Sequence, residues 1–504
     1  MKLEDWKKLQ NGSDIRGVAL EGVSGENVNL TAEVAEILGK SFAIWLGRNG
    51  FKEPRAAIGI DSRITGPMLK EAFSRGLTAQ GVDVVDFGLA STPAMFMATI
   101  DEKLNVDGAV MLTASHLPFN RNGMKFFTSM GGFDKNDIHD LLNIASKGSF
   151  QESGRSGTVD EIDFISDYAD ILVNNIRAGV NDPEQFEQPL AGLKIIVDAG
   201  NGAGGFFAEK VLVTLGADIE GSQFLEPDGN FPNHVPNPED RDAMDSISAA
   251  VKRTGADLGI IFDTDVDRAA VVDTNGKPVS RNELIALISA VILDEHPGSV
   301  IVTDSITSSG LKWFIEEELG GVHHRFKRGY RNVINESIRL NEEGKESWLA
   351  IETSGHAALK ENHFLDDGAY LVAKLLIKMA LLKNENGSLT NLIEQMPIAE
   401  ESREFRLPLT CKDFHDYGNK IISELQEMVE KENGWSLEKP NYEGIRIRCS
   451  NPPENGWFLL RLSLHDPKMP LNIESDVQGG VKAILCRLGQ LLKEFEYLDT
   501  GSML

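Results

Sequence analysis

The sequence predicts an α/β protein: three consecutive mixed α/β domains, closed by a smaller α+β domain. Three observations carry this. A buried-strand pattern that runs into a polar or Gly-rich loop, followed by a helical pattern, recurs along most of the chain. Near residue 396 the pattern changes to short strands and turns. And 504 residues are too many for one hydrophobic core, because chains beyond about 250–300 residues split into domains.

The elements follow in order. In LTAEVAEILGKSFAIWL (30–46), Val34, Ile37, Leu38, Phe42 and Trp45 recur at helical spacing, and Thr31 stands at the N-cap position. RAAIGID (55–61) reads as a buried strand, GPMLKEAFSRGLTAQG (66–81) as a helix and VDVVDFG (82–88) as a second strand. LKIIVDAGNGAGG (193–205) is a strand entering a Gly-rich loop, and FFAEKVLVTLG (206–216) a helix. The loop lacks the Lys-Ser/Thr ending of a P-loop, so it reads as a tight structural turn that needs positive φ. ADLGIIFDTDVDR (256–268) is a strand ending in a polar loop. SVIVTDSITSS with GLKWFIEEELG (299–320), and ESWLAIETSGH (346–356), repeat the pattern. The tail holds short strands over 443–475 and an amphipathic helix near 477–495. The domains predicted are 1–156, 157–272, 273–395 and 396–504.

Composition narrows the function. A net charge of −27 argues against a surface for polyanions, and no Lys/Arg runs interleave with aromatics, so no nucleic acid is expected. A phosphate ligand must then be held by local cations or a metal. Cys411, Cys449 and Cys486 are far apart, without zinc spacing or a disulfide framework, and suit a reducing compartment. The N-terminus, MKLEDWKKLQ, has no apolar targeting region, and the longest apolar run, Leu284–Leu293, is about half a membrane span. The expectation is a cytoplasmic protein, or the mature form of a plastid one, acting on a small molecule as a monomer or dimer.

The strongest chemical signal is GIIFDTDVDR. Asp263, Asp265 and Asp267 alternate after an apolar strand, and in an extended chain alternate residues point the same way. Converging carboxylates repel unless a divalent cation joins them, and hard oxygens favour Mg²⁺ or Ca²⁺. An EF-hand is disfavoured, since Arg268 and Thr274 occupy its glycine and glutamate positions. Two alternatives stay open: a solvated acidic turn paired with Arg268, and the DxDx[TV] signature of haloacid-dehalogenase phosphotransferases. In TASHLPFNRNGMK (113–125), Ser115 displays a hydroxyl in a turn whose N–H groups can hold phosphate oxygens, with Lys125 ten residues on. An ordinary turn serine is the alternative. ETSGH offers Glu352, Ser354 and His356 in one loop, a set suited to sugar hydroxyls or to a capped helix start. Arg461, Ser463 and Lys468 in RLSLHDPK can form an anion fork or a structural turn.

Taken in order, GSDIRG (12–17), TASHLPFNRNGMK, PDGNFPNHVPNPE (227–239), DTDVDR, ETSGH and RLSLHDPK resemble the α-D-phosphohexomutase superfamily of phosphoglucomutases and phosphomannomutases along essentially the whole chain. The haloacid-dehalogenase signature explains only one of these segments. The resemblance implies four domains around a central cleft and an isomerase of carbohydrate metabolism. It makes Ser115 a phosphoryl carrier and places one Mg²⁺ among Ser115, Asp263, Asp265 and Asp267. A hexose 1,6-bisphosphate is the implied intermediate and activator. Arg16, Arg268 and Lys125 would stabilise charge, with Lys125 or His116 in proton transfer. Glu352, Ser354 and His356 would meet the sugar, and Arg331 of GYRN would belong to a further substrate loop. Arg461, Ser463 and His465 would clamp the phosphate that is not reacting.

The chain departs from the family pattern in three places. Leu117 replaces the asparagine of TASHNP, and Thr264 stands where the metal loop has glycine. The clamp R-P-S-G-T-E-P has become Arg461-Leu-Ser-Leu-His-Asp-Pro467, with Leu464 for glycine and His465 for the hydroxyl donor. Two functions follow: an active hexose-phosphate mutase, or a diverged homologue that binds a sugar phosphate or has a regulatory role with little turnover.

Overall fold

The structure, a computed structural model, describes residues 3–150, 153–384, 387–463 and 466–503. The chain forms two compact units, residues 1–280 with 354–390, and residues 281–353 with 391–504. Both are mixed α/β, and the second ends in the sheet-rich segment that the sequence predicts.

In the first unit, helix Ala32–Arg48 starts where its cap predicts, with Thr31 Oγ accepting the Val34 N–H at 3.3 Å. Its buried side carries Phe42, whose ring centroid lies 5.1 Å from Phe126 and 6.2 Å from Phe73. Helix Gly66–Ala79 meets it through glycines: a Cβ at Gly39 would fall 2.2 Å from the Phe73 carbonyl oxygen, and one at Gly76 2.1 Å from that of Glu36. Both helices pack on a sheet ordered Gln10–Asn11, Asp14–Val18, Arg121–Thr128, Gly108–Leu112, Arg55–Ile60, Asp83–Leu89, Val159–Glu161. Its parallel middle gives way to antiparallel pairing at Arg121–Thr128, which sets Arg16 opposite Gly123 and Lys125 opposite Met111.

A second sheet runs Pro278–Val279, Ala269–Val272, Leu258–Phe262, Ile195–Asp198, the last two strands parallel. The acidic segment 263–268 is the reversal between two antiparallel strands, with Phe262 paired to Ala269. The Gly-rich turn has the structural role expected of it. Gly200 and Asn201 take φ of 53° and 60°, the Ala203 N–H donates to the Thr264 carbonyl at 2.8 Å, and a Cβ at Gly202 would lie 2.7 Å from that same oxygen. The helix expected after it is a π-helix, Phe207–Leu212, in which Val213 N–H reaches back five residues to Ala208.

In the second unit, Val300–Thr303 pairs in parallel with Val322–Arg325 and Ser347–Ile351. Helix Asn282–Glu295 holds the apolar run Leu284–Leu293, every residue of it buried. Helix Ser309–Trp313 continues as a π-helix, Phe314–Glu318. The tail is an antiparallel sheet ordered Glu401–Pro408, Lys468–Ser475, Gly456–Leu460, Ile445–Cys449, Trp435–Leu437. Ile421 and Leu425 of helix Phe414–Val429, and Ile484 and Leu488 of Gly480–Leu492, share one core with Ile447, Phe458 and Leu471 of that sheet. Among the described residues no helix is long and apolar enough to cross a membrane.

The glycine crossing gives a direct test. Gly39→Val should cost about 3 kcal/mol, read as a lower urea midpoint, because the added methyls meet backbone that cannot yield. Gly47→Ala in the same helix, with nothing within 4 Å of its Cβ, should gain about 0.5–1 kcal/mol. A Gly39→Val protein as stable as its parent would refute the crossing.

Candidate active site

Two strands of the first unit end in the loops that the sequence singles out. Gly108–Leu112 runs into the serine loop, and Leu258–Phe262 into the acidic loop. Both loops hold a non-glycine residue in left-handed backbone: Ser115 at φ 48° and the β-branched, buried Val266 at φ 69°. Such residues cost on the order of 1–3 kcal/mol and persist only where the surroundings enforce them. The three aspartates therefore converge through a turn, not through the extended alternation read from the sequence. The enforcing contacts are explicit. Thr113 Oγ accepts the Ser115 N–H at 2.8 Å. The buried Arg63 donates to the carbonyls of Ser115, Leu117, Pro118 and Arg121. Arg16 donates to the Thr113 carbonyl and pairs with Asp14 at 2.8 Å. Gly368 N–H donates to the Val266 carbonyl at 3.1 Å.

Asp263, Asp265 and Asp267 are buried, and one oxygen from each lies within 4.8 Å of the others. Asp263 accepts from Ser115 Oγ at 2.8 Å and from Arg268 Nη2 at 3.0 Å, while Arg268 Nη2 also donates to Ser115 Oγ at 3.1 Å. Asp265 accepts from Thr92 Oγ at 2.6 Å and from Lys125 Nζ at 2.9 Å, and Lys125 also pairs with Asp267. Burial first, then the Asp267 charge, pushes the Asp263 carboxyl well above the usual range. Burial pushes Asp265 the same way, but Lys125 and the Thr92 hydroxyl outweigh it and hold that carboxyl low. Burial disfavours the Lys125 ammonium, yet Asp265 and Asp267 keep it charged far into the alkaline range.

Two permanent cations thus face three carboxylates in a dry site. Asp265 Oδ1 and Asp267 Oδ1 are buried with no hydrogen-bond partner. Orphaned carboxylate oxygens that converge beside surplus negative charge fit a hard divalent cation such as Mg²⁺. Asp263, Asp265 and Asp267 can hold it, with the Ser115 hydroxyl alongside.

Two histidines flank the cluster. His116 Nδ1 lies 3.3 Å from Ser115 Oγ and 2.7 Å from Arg268 Nη2. Burial of part of the ring, then the charges of Arg268 and His356, lower its pKa, so it stays neutral and accepts from Arg268. His356 Nδ1 bonds Asp366 at 2.7 Å and lies 3.9 Å from Asp267. Burial opposes its charge, but Asp366 and Asp267 prevail and raise its pKa to about 9. The turn carrying buried Ser354 rests on the strand that leaves the acidic loop: Gly355 has φ 95°, and a Cβ there would lie 2.6 Å from the Ala269 carbonyl oxygen.

The second unit gathers the other sequence-predicted residues. Glu352 accepts the Gly329 N–H at 2.6 Å, which joins ETSGH to GYRN. Glu443 accepts the Arg328 N–H at 3.1 Å and the Ser305 hydroxyl, and lies 3.8 Å from Arg461 Nη1. Arg331 stands in the first turn of helix Tyr330–Glu342. Ser463 closes its own turn, with its N–H on the Lys468 carbonyl at 3.0 Å and its Oγ accepting from Asp466 N–H at 3.2 Å. Leu464 and His465 lie outside the described residues.

Four positioning residues escaped the sequence reading. Arg63 follows strand Arg55–Ile60 in a polar loop, the signal used elsewhere in the chain, and could have been found. Thr92 and Asp366 sit in helix-start and turn segments that look ordinary, and Glu443 carries no local signal.

Replacing Lys125 by Met removes from Asp265 its ion-pair partner and from Asp267 the shortest of its three, the others being Arg268 and His356 at 3.9 Å. It should cost about 3–5 kcal/mol in EDTA, partly restored by Mg²⁺, as read by urea unfolding; a loss below about 1 kcal/mol would remove Lys125 from the cluster's charge balance. His356 has its pKa raised on folding, so its contribution is complete below the unfolded value of about 6.5 and is lost as pH rises through about 9. Without metal, the stability gap between wild type and His356→Asn should shrink between pH 6 and pH 9.5; a constant gap would show that the ring does not titrate with folding.

Comparison with known proteins shows the family of the chain. Residues 7–152, 167–276 and 280–398 match the models of phosphoglucomutase/phosphomannomutase alpha/beta/alpha domains I, II and III. The chain is 30% identical over 486 residues to a phosphoglucomutase of Neisseria gonorrhoeae, covering 96% of each. It is 31% identical over 475 residues to a phosphomannomutase/phosphoglucomutase of Pseudomonas putida, covering 94% of each. A solved phosphoglucomutase/phosphomannomutase family protein from Burkholderia thailandensis superposes with a TM-score of 0.78 at 28% identity, over 98% of each chain. The serine loop, the acidic loop and this likeness along the full length place the chain in the phosphoglucomutase/phosphomannomutase family of enzymes, within the α-D-phosphohexomutase superfamily.

Proposed function

We propose that the chain interconverts hexose 1-phosphate and hexose 6-phosphate, glucose before mannose, through phosphorylated Ser115 and a bound hexose 1,6-bisphosphate. The observation that carries this is the Ser115 hydroxyl, held 2.8 Å from Asp263 and 3.1 Å from Arg268 at the edge of the carboxylate cluster. The same reading divides the chain at residues 156, 272 and 395.

Phosphoryl transfer asks for placement and charge more than for covalent help. A divalent cation on Asp263, Asp265 and Asp267 supplies Lewis-acid charge toward phosphoryl oxygens when bound. The chain's own groups do the rest. The enforced backbone at Ser115 keeps Oγ in one place, so donation and return lose little orientational freedom. Arg268 and Arg16 stabilise charge beside it. Lys125, locked as an ammonium, serves as charge and not as a base. His116, neutral and with Nδ1 accepting from Arg268, holds that guanidinium beside Oγ. In the first half the phosphoryl group passes from Ser115 Oγ to a sugar hydroxyl, whose proton ends on Oγ; in the second the other phosphoryl group passes from the bisphosphate to Ser115 Oγ, whose proton ends on the sugar oxygen released. Glu352 and Ser354 hold sugar hydroxyls with His356 nearby, while Arg331, Arg461, Ser463 and His465 take the phosphate at rest.

A coupled assay tests this. Glucose 1-phosphate with Mg²⁺ and catalytic glucose 1,6-bisphosphate should yield glucose 6-phosphate, and EDTA should abolish turnover until Mg²⁺ is restored. Ser115→Ala should lower kcat by on the order of 10³ or more and remove a phosphate adduct from the intact mass. No turnover with glucose, mannose or N-acetylglucosamine phosphates would overturn the mutase and leave the sugar-phosphate-binding homologue.

A further inference from the structure

The second unit contains a cavity of about 380 Å³ bordered by segment 309–317, strand Val322–Arg325 and residues 436–448. None of the residues assigned above to the substrate lines it. In a chain of net charge −27 its wall carries four cations, Lys312, Arg325, Lys439 and Arg448, against Glu316, Glu317 and Glu438. The carboxylates fall short where burial is deepest. Glu438 forms the ion pairs of two guanidiniums, Arg446 Nε at 2.6 Å and Arg325 Nη1 at 3.3 Å, with the Glu474 charge acting on both from further off, and Arg446 Nη2 is buried without a hydrogen-bond partner. Lys312 lies 3.8 Å from Glu316, whereas among the described residues no ion pair engages Lys439 or Arg448.

A buried histidine completes the wall. His323 lines the cavity at 9% exposure, with Nε2 held 2.8 Å from Thr303 Oγ and Nδ1 without a hydrogen-bond partner. Burial, then Arg446, lowers the pKa of Arg325 to about 9, and burial followed by Arg325, Arg446 and Lys312 keeps His323 uncharged. This crowd of positive charge is one that a bound anion relieves. Trp313, 43% exposed on the same wall, adds a flat aromatic surface.

We propose that this cavity is a second ligand site, for a nucleoside 5′-phosphate, with its phosphate on Lys439 and Arg448 and its base against Trp313. Calorimetric titration of the full chain with AMP and UMP, and separately with inorganic phosphate, tests it. One nucleotide should bind per chain, about tenfold more tightly than phosphate, because the base stacks on Trp313. The exposed pair Lys439→Glu with Arg448→Glu should weaken binding at least about tenfold with an unchanged melting temperature, while Arg461→Ala should leave it intact. No binding at millimolar nucleotide, phosphate binding equal to nucleotide, or loss in Arg461→Ala with retention in the double variant would each overturn the proposal. None of these readouts depends on mutase turnover, so the two proposals fail separately.

Discussion

Surplus negative charge in a dry site is the constraint on which the rest of the first unit depends. Three buried carboxylates face Lys125 and Arg268, and the remainder must be met by a bound cation or by protonation. Lys125 comes from a strand of the larger sheet and the aspartates from a turn of the smaller one, so the charge balance also joins two sheets. Breaking such a pair costs more than making it gains, because the partner left behind stays desolvated.

The same arrangement explains why so much of the fold near the site serves to hold backbone. Ser115 and Val266 occupy left-handed backbone that neither residue prefers, and each is held by hydrogen bonds from neighbouring segments. Arg63 spends its guanidinium on carbonyls of the serine loop, and the Gly-rich turn brings Ala203 against Thr264. Under the proposed mechanism this stiffness helps, since a carrier hydroxyl that wandered would lose in-line placement. In the second unit Glu443 has a comparable part, with Arg328, Ser305 and Arg461 around one carboxylate.

Much of this was legible in the sequence. Apolar periodicity located the strands and helices because burial imposes period 2 or 3.6 whatever the wider fold. The acidic and serine loops were legible because strand-to-loop junctions tolerate the residues that chemistry needs. Where the reading failed, the cause lay in contacts distant along the chain. The π-helices at Phe207–Leu212 and Phe314–Glu318 leave no mark in apolar spacing. Thr92 reaches Asp265 across 173 positions, and nothing near either residue announces the other.

The sequence by itself determined the α/β class, the three carboxylates and the serine, because side-chain chemistry and hydrophobic periodicity are local properties. Only the tertiary structure decided how those groups meet. The aspartates converge through a turn at Val266, Lys125 is spent between two of them, and His116 and His356 are driven to opposite protonation states. Each outcome depends on which charges share a buried volume, and electrostatic energy there is set by distance in space and not by separation along the chain.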